Sequence, residues 1–373
     1  MIAEREASVS TVVAVADKFV DETHLAAARS VLERVVDTDK VRLAFVGGSL
    51  AAGLGHGMSD VDLYVAAEPG TDLPKRGYRE GGYVVQINPL STAQLEQIAA
   101  ICTEFTASRT DRWQVLVGDV ELQPSIRYAI GSVLIDKDSG LPSTDQAKLT
   151  VRKILMTRWA YDVSGFGEDA LGALQVGDEL TALQSSSIAV ECAVECVLAA
   201  VGDVYLGRKF LLRRTARNEA LREVLPRIWD GLRLPQAPGG IEETTRVVTE
   251  NMRVAGHLVV NALLDGWDAP APHIAACPDH WEDGGPTRSP WVVPVRLSDS
   301  WGMAGPDAGY RVKQGTVRLW RELDGRSLDD VHRSFEADPD LAGTPRELLD
   351  TATAQLIERN VVATGDGVAT ADS

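Results

Sequence analysis

The sequence predicts an α+β chain: a mixed sheet with covering helices, then a helical bundle, then a small C-terminal domain. Three observations predict it. Short apolar runs punctuated by glycine occupy 43–49, 59–65 and 81–88, with the length and composition of strands. From 144 to about 266 the apolar residues recur at spacings of three and four, the period of buried helix faces. Residues 268–290 are crowded with Pro, Gly and Asp and interrupt that pattern as a linker or long loop. A length of 373 residues suits two or three domains, and 45% apolar content is ordinary for a globular protein.

Taken in order, residues 11–36 read as a helix, with Val12, Val13, Val15, Phe19, Leu25, Ala28, Val31, Leu32 and Val35 at helical spacing. Leu43-Ala44-Phe45-Val46 follows as a buried strand closed by Gly47-Gly48-Ser49. After a glycine-rich connection comes Ser59-Asp60-Val61-Asp62-Leu63-Tyr64-Val65. A strand period of two puts Asp60 and Asp62 on one face and turns Val61 and Leu63 into the core. Gly81-Gly82 introduces a third strand over 83–88, which Pro89 is expected to end, and Ser91 caps a new helix. Residues 126–140 read as a helix end, a strand and a turn, where Asp136 and Asp138 serve the turn backbone rather than a metal. Helices are expected over 146–163, 180–201, 216–230 and 242–266. The most apolar run, Ile188 to Val201, is interrupted by Glu191 and Glu195; it reads as a buried helix, with no span long enough to cross a bilayer. A short helix over 315–324 stops at Gly325, helices follow around 327–336 and 345–358, and Asn360-Val361-Val362 ends the ordered pattern before a polar tail from Ala363.

The chemistry lies in the first strands. Two carboxylates about 7 Å apart on one strand face repel unless a cation sits between them, and Mg²⁺ is commonly held by one or two carboxylates plus substrate phosphates. The Gly47-Gly48-Ser49 turn lets backbone N–H groups and the Ser49 hydroxyl approach a phosphate closely. A Gly-Ser turn followed eleven residues later by Asp-x-Asp, each on an apolar strand, resembles the signature of the nucleotidyltransferase superfamily with its polymerase-β-like fold. The resemblance implies that Gly48 and Ser49 hold the triphosphate of ATP or another NTP, and that Asp60 and Asp62 bind Mg²⁺ and are catalytic. It also implies a nucleotidyltransferase-fold domain over 1–143, then a helical domain over 144–267 that closes the nucleotide cleft, and a linker over 268–290. The passage Tyr205-Leu206-Gly207-Arg208-Lys209-Phe210-Leu211 is similar to one in small-molecule nucleotidyltransferases, which implies that Lys209 reaches the phosphates. Residues 291–362 resemble a winged helix, and Leu319-Trp320 to Leu328 is similar to PqqD-type peptide-recognition modules; a disordered tail over 363–373 completes the chain.

One position departs from the superfamily pattern. A third acid usually sits on the next core strand, where this chain has Gln86 and Asn88. Neither takes up a proton at neutral pH. Three accounts stay open: a base from elsewhere, such as Glu80 or Glu104; an acceptor already ionised, such as a carboxylate; or a degenerate fold that acts as a nucleotide- or peptide-binding adaptor. The favoured expectation is Mg²⁺-dependent transfer of a nucleotidyl group, adenylyl by resemblance, to a small-molecule or peptide acceptor, with release of pyrophosphate.

The remaining features bound this reading. A formal charge of −17 argues against a nucleic-acid surface, which needs clustered Lys and Arg. Four cysteines make no disulfide scaffold, and the N-terminal residues carry no signal-peptide pattern, so a cytoplasmic protein without membrane contact is expected. Cys192 and Cys196 share a helix face among Ala and Val and read as buried packing residues. His273, Cys277 and His280 have spacings that could seat zinc, but no fourth ligand is evident. His56 reads as a loop residue, and Trp159 and Trp320 as core.

Overall fold

The computed structural model describes residues 19–233, 239–278, 281, 284–306, 308–338 and 341–364. They divide into two compact units. The first holds the chain up to Thr106, with Trp113–Ile154 and Gly202–Arg217; the second holds Ala107–Arg112, Leu155–Val201 and the chain from Asn218. The predicted α+β class holds, with a mixed sheet and an extensive helical region.

The sheet of the first unit comprises β1 (Val41–Gly47), β2 (Val61–Ala67), β3 (Gly77–Glu80), β4 (Tyr83–Leu90) and β5 (Ser132–Asp136) in the order β3-β4-β2-β1-β5. β1 runs antiparallel to β2 and β5, β3 antiparallel to β4, and β2 parallel to β4. Helix α1 (Glu22–Val35) closes one face, packing Ala27, Ala28, Val31 and Leu32 over Ala44 and Val46 of β1 and Val61, Leu63 and Val65 of β2. Alternation then sends Asp62 and Tyr64 to the opposite face. α1 starts later than the sequence suggests, because the Asp21 carboxylate accepts the N–H groups of Thr23 and His24 as an N-cap. Residues 19–21 are not helical, and the expected helix over 11–18 lies outside the described residues.

Pro89 does not end the third strand. β4 continues to Leu90, with Val65 opposite Pro89 on the β2 side. β3 covers β4 only from Tyr83 to Gln86, so Pro89 lies on the open edge, where its missing N–H costs no ladder bond. The unit is completed by α2 (Gly48–Ala51), α3 (Thr92–Cys102), α4 (Trp113–Leu116) and α5 (Asp119–Ala129). α3 opens on the predicted Ser91, whose hydroxyl accepts the Gln94 N–H while the Gln94 side chain accepts the Ser91 N–H.

The long helix α6 (Thr144–Gln175) is followed by α7 (Glu179–Ala200), α8 (Leu211–Arg217), α9 (Leu225–Leu232) and α10 (Ile241–Asp265). The helix expected over 216–230 is instead the end of α8, a 3₁₀ turn at Glu219–Leu221, and α9, which begins around Pro226. In the second unit α7 packs on α10: Asn251 donates to Ser186 Oγ at 3.1 Å, and Thr244 donates to Glu179 Oε2 at 2.7 Å. α7 is, contrary to the sequence reading, long and apolar enough to span a bilayer, with mean hydropathy 1.3 over its best window. It is 83% buried over that window, as befits a core helix.

The C-terminal part contains strands that the sequence did not announce. β6 (Thr287–Arg288) precedes a three-stranded meander of β7 (Val293–Arg296), β8 (Trp301–Ala304) and β9 (Gly309–Val312), all antiparallel. Helices α11 (Gln314–Glu322), α12 (Leu328–Ala337) and α13 (Arg346–Glu358) follow, and β10 (Val362–Ala363) returns to pair with β6.

Candidate functional site

The register of β1 on β2 sets the geometry. Gly47 lies opposite Asp62, so the chain turns off β1 directly beside that carboxylate. Gly48 has φ +82, and a Cβ built on it would stand 2.0 Å from Asp62 Oδ2. Only glycine combines that backbone conformation with that proximity. A Cβ on Gly47 would sit 3.1 Å from both the Arg127 carbonyl and Tyr64 Cε2. Ser49 follows at the start of α2, and the turn is closed by Leu54 N–H donating to Ser49 O at 2.8 Å.

Asp62 is half-buried between β1 and β4. Burial raises its carboxyl pKa, the Arg127 charge and a hydrogen bond from Asn88 pull it back, and the nearby Asp60 charge raises it further. Asn88 Nδ2 reaches Asp62 Oδ1 at 3.5 Å. Asp60 is exposed and stands one residue before β2 rather than within it.

The position of the third acid is filled as the sequence indicated. Gln86 is the β4 partner of Asp62, and its Nε2 donates to the Ile87 carbonyl at 3.3 Å. Among the described residues no group of three or more His, Cys, Asp or Glu is placed to hold a metal. Asp60 and Asp62 offer at most two carboxylates here, a number that fits a hard cation only where a ligand's oxygens complete its shell. Glu80 is no free base, since Arg34 Nη1 donates to it at 2.6 Å and Ser30 at 3.0 Å.

Sequence reasoning missed Arg127. It stands near the end of α5, its guanidinium 4.5 Å from the Tyr205 ring centroid. Its Nε and Nη1 are buried without a hydrogen-bond partner, and its charge acts on both Asp62 and Tyr64. Tyr64 stacks on Phe45 at 5.0 Å, and burial pushes its hydroxyl pKa up to about 12, so it stays protonated at neutral pH. Nothing in the spacing from Asp62 to Arg127 marks the pair; packing of α5 on the sheet creates it.

The 203–217 segment belongs to the same unit as the motif. Asp203 accepts from Arg214 Nε at 2.9 Å and Arg217 Nη2 at 2.7 Å. Arg217 also donates to the carbonyls of Gly53 at 3.1 Å and Ala52 at 3.0 Å, and Arg213 to that of Leu54 at 3.1 Å. These bonds fasten the basic run to the loop that follows Ser49. Lys209 is exposed, with its ammonium 4.9 Å from the Phe210 ring centroid.

Other singled-out residues have quieter settings. His56 and Ser59 bond one another's loop backbone, and Met58 N–H donates to His56 Nδ1 at 3.2 Å. Asp136 accepts the Ser139 N–H at 3.1 Å, the turn role expected of it. Cys192, Cys196 and Cys277 are buried and form no disulfide among the described residues, and Trp320 is buried in the core. His273 faces Glu223 at 3.6 Å, and His280 lies outside the described residues.

No protein-family profile and no curated protein matches the chain. Among solved structures, a nucleotidyltransferase-like protein from Exiguobacterium sibiricum 255-15 aligns with 64% of this chain and 76% of its own, at 12% identity and a TM-score of 0.34. That likeness is distant and carries no functional argument by itself. The similarity to PqqD-type modules finds no support in these comparisons.

Proposed function

We propose that the protein is a nucleotidyltransferase, which moves a nucleotidyl group from a nucleoside triphosphate to a small-molecule or peptide acceptor. The observation that supports this most is the contact of Gly48 with Asp62: a positive-φ glycine whose missing Cβ leaves room for a carboxylate oxygen 2.0 Å from where that atom would be. A solvated surface turn has no need of that clearance. A turn that must present backbone N–H groups to a phosphate beside a carboxylate-held cation does.

In this reading Asp60 and Asp62 would hold Mg²⁺, which would supply charge neutralisation to the bound triphosphate. Gly48 and Ser49 grip the phosphates by hydrogen bonds, and Lys209 adds a cation. Arg127 opposes the burial that raises the Asp62 pKa and offers unpartnered N–H groups to an anionic substrate atom. The acceptor oxygen bonds to the α-phosphorus as the bond to pyrophosphate breaks. With Gln86 opposite Asp62, no acid is in register to take an acceptor proton. A carboxylate acceptor is ionised above pH ~5 and needs none removed. The preference for adenine rests on the superfamily resemblance alone.

The amides at Gln86 and Asn88 favour a second reading, a non-catalytic adaptor that binds nucleotide or peptide. Two measurements separate the readings. Asp60→Asn with Asp62→Asn should abolish Mg-ATP binding in calorimetry while the fold survives; equal affinity in the double variant removes the metal assignment. Pyrophosphate release screened against carboxylates and alcohols should favour carboxylates, and failure of every acceptor of both classes to elicit release identifies the adaptor.

A further inference from the structure

The sheet face that carries Asp62 is short of acids for a pair of metal ions. Asp62 is half-buried on β2, and Asp60 is exposed just before that strand. Asp203, in the same unit, is taken up by Arg214 and Arg217. Among the described residues no third His, Cys, Asp or Glu joins Asp60 and Asp62 as a metal ligand. β4 sets Gln86 and Asn88 beside Asp62 and Tyr64, and neither turns its amide oxygen to Asp62. Gln86 Oε1 lies 3.2 Å from where a Cβ on Gly77 of β3 would stand, on the side of β4 away from β2. The Asn88 amide faces two acceptors, Asp62 Oδ1 at 3.5 Å and the Gln86 carbonyl at 3.4 Å, so its N–H groups point to Asp62. A donor in that position repels a cation. Two divalent ions about 4 Å apart repel one another and need more negative charge around them than this face supplies.

On the β1 side of Asp62 the chain has a cation of its own. Gly47 is the register partner of Asp62, and Arg127 Cβ lies 3.2 Å from where a Cβ on Gly47 would stand. α5 therefore sets the Arg127 side chain against the end of β1, and its charge acts on the Asp62 carboxylate. The guanidinium lies 4.5 Å from the Tyr205 ring centroid. Its Nε and Nη1 bond no described residue, so these donors are not committed to holding the fold. A guanidinium stays charged at any working pH, and its fork of donors suits phosphate oxygens.

We propose that the site takes a single divalent cation and that Arg127 serves as its second positive charge, paired with the phosphates of the bound triphosphate. The proposal rests on the nucleotidyltransferase reading and gives that reading a one-ion form. The guanidinium stands where the fold already holds it, so the loss of a third acid at Gln86 removes a second ion without removing its charge.

The test counts ions on the full chain with Mn²⁺ and α,β-methylene-ATP, a triphosphate that resists cleavage at the α-phosphorus. One Mn²⁺ should bind per nucleotide, with an electron paramagnetic resonance spectrum free of the coupling that a close ion pair shows. Crystals of the parent protein with the same probe should show one anomalous peak at the site and the Arg127 guanidinium paired with a phosphate oxygen, a readout that needs no variant. In calorimetry Arg127→Met should weaken binding of the Mn²⁺ analogue roughly tenfold to a hundredfold with the count still one, and Arg127→Lys should lose less. Two Mn²⁺ at the site, an Arg127 turned away from the phosphates, or Arg127→Met binding as tightly as the parent overturns the proposal and leaves the nucleotidyltransferase reading standing. A parent protein that binds no nucleotide overturns that reading and this proposal with it.

Discussion

Gly48 and Gly57 lie nine positions apart, and the first unit treats them differently. A Cβ on Gly57 would meet nothing within 4 Å, whereas on Gly48 it would meet Asp62 Oδ2 at 2.0 Å in a φ +82 backbone. Gly48→Ala is therefore expected to cost roughly 1–3 kcal/mol of stability and to abolish Mg-ATP binding, while Gly57→Ala leaves both unchanged. Denaturant titration and calorimetry read the two effects, and a Gly48→Ala protein that binds as the parent does excludes the turn from the site. Arg127 acts on the same carboxylate by charge. Burial raises the Asp62 pKa and Arg127 lowers it, so in Arg127→Met the carboxyl should protonate at higher pH. Metal binding needs the ionised form, and the pH below which Mg-ATP affinity fails should move upward. Calorimetry between pH 5 and 8 measures that midpoint; an unmoved midpoint takes Arg127 out of the site.

At the scale of elements, arginines fasten the segment carrying Lys209 to the loop behind Ser49. Arg217 bonds the Ala52 and Gly53 carbonyls and Asp203, and Arg213 bonds the Leu54 carbonyl. Arg217→Ala removes charge-assisted bonds worth about 1.5–3 kcal/mol, and it releases the loop behind Ser49. Hydrogen exchange at the amides of Gly53 and Leu54 should accelerate, and Mg-ATP affinity should fall with it. Unchanged exchange would mean that the loop is held by other contacts. The sheet obeys the same logic of local partners. β4 carries Pro89 because β3 stops short of it, and the apolar alternation of β2 survives because α1 closes one face alone.

For the whole molecule, stability should depend on pH through a buried group of the second unit. His257 is buried, with its pKa held down to about 3 by burial first and by Arg288 second. Its unfolded value is about 6.5, so the unfolded chain takes up the proton first as pH falls. The stability contributed by the neutral ring is complete above ~6.5 and is lost toward about 3, at up to roughly 1.4 kcal/mol per pH unit. Carboxylates add their own slope, so the informative quantity is the difference between the parent and His257→Asn in urea titrations from pH 7 to 4. The parent should lose stability faster; parallel curves would contradict a buried neutral imidazole.

The sequence by itself determined the short-range features. The period of two in 59–65 assigned Asp62 to the face opposite α1, Ser91 announced the start of α3, and the apolar spacing between 144 and 266 announced helices. Each depends on residues a few positions apart, which a linear pattern contains. It also placed Gln86 where a third acid would be expected, and β4 does set Gln86 against Asp62. Tertiary structure decided what depends on distant partners. The four-residue strands of the β7-β8-β9 meander are too short to show a period, and they exist because they pair with one another. The helix expected over 216–230 gave way to a 3₁₀ turn at Glu219–Leu221 ahead of α9, and Pro89, which promised a break, made none because its edge faces no strand. Arg127 beside Asp62 and Tyr205, and Arg288 beside His257, arise where segments 60 or more and 30 or more residues apart pack together. Periodicity reports which face of an element is buried. Which charge that face meets is settled by packing, since electrostatics and close contact act across space and not along the chain.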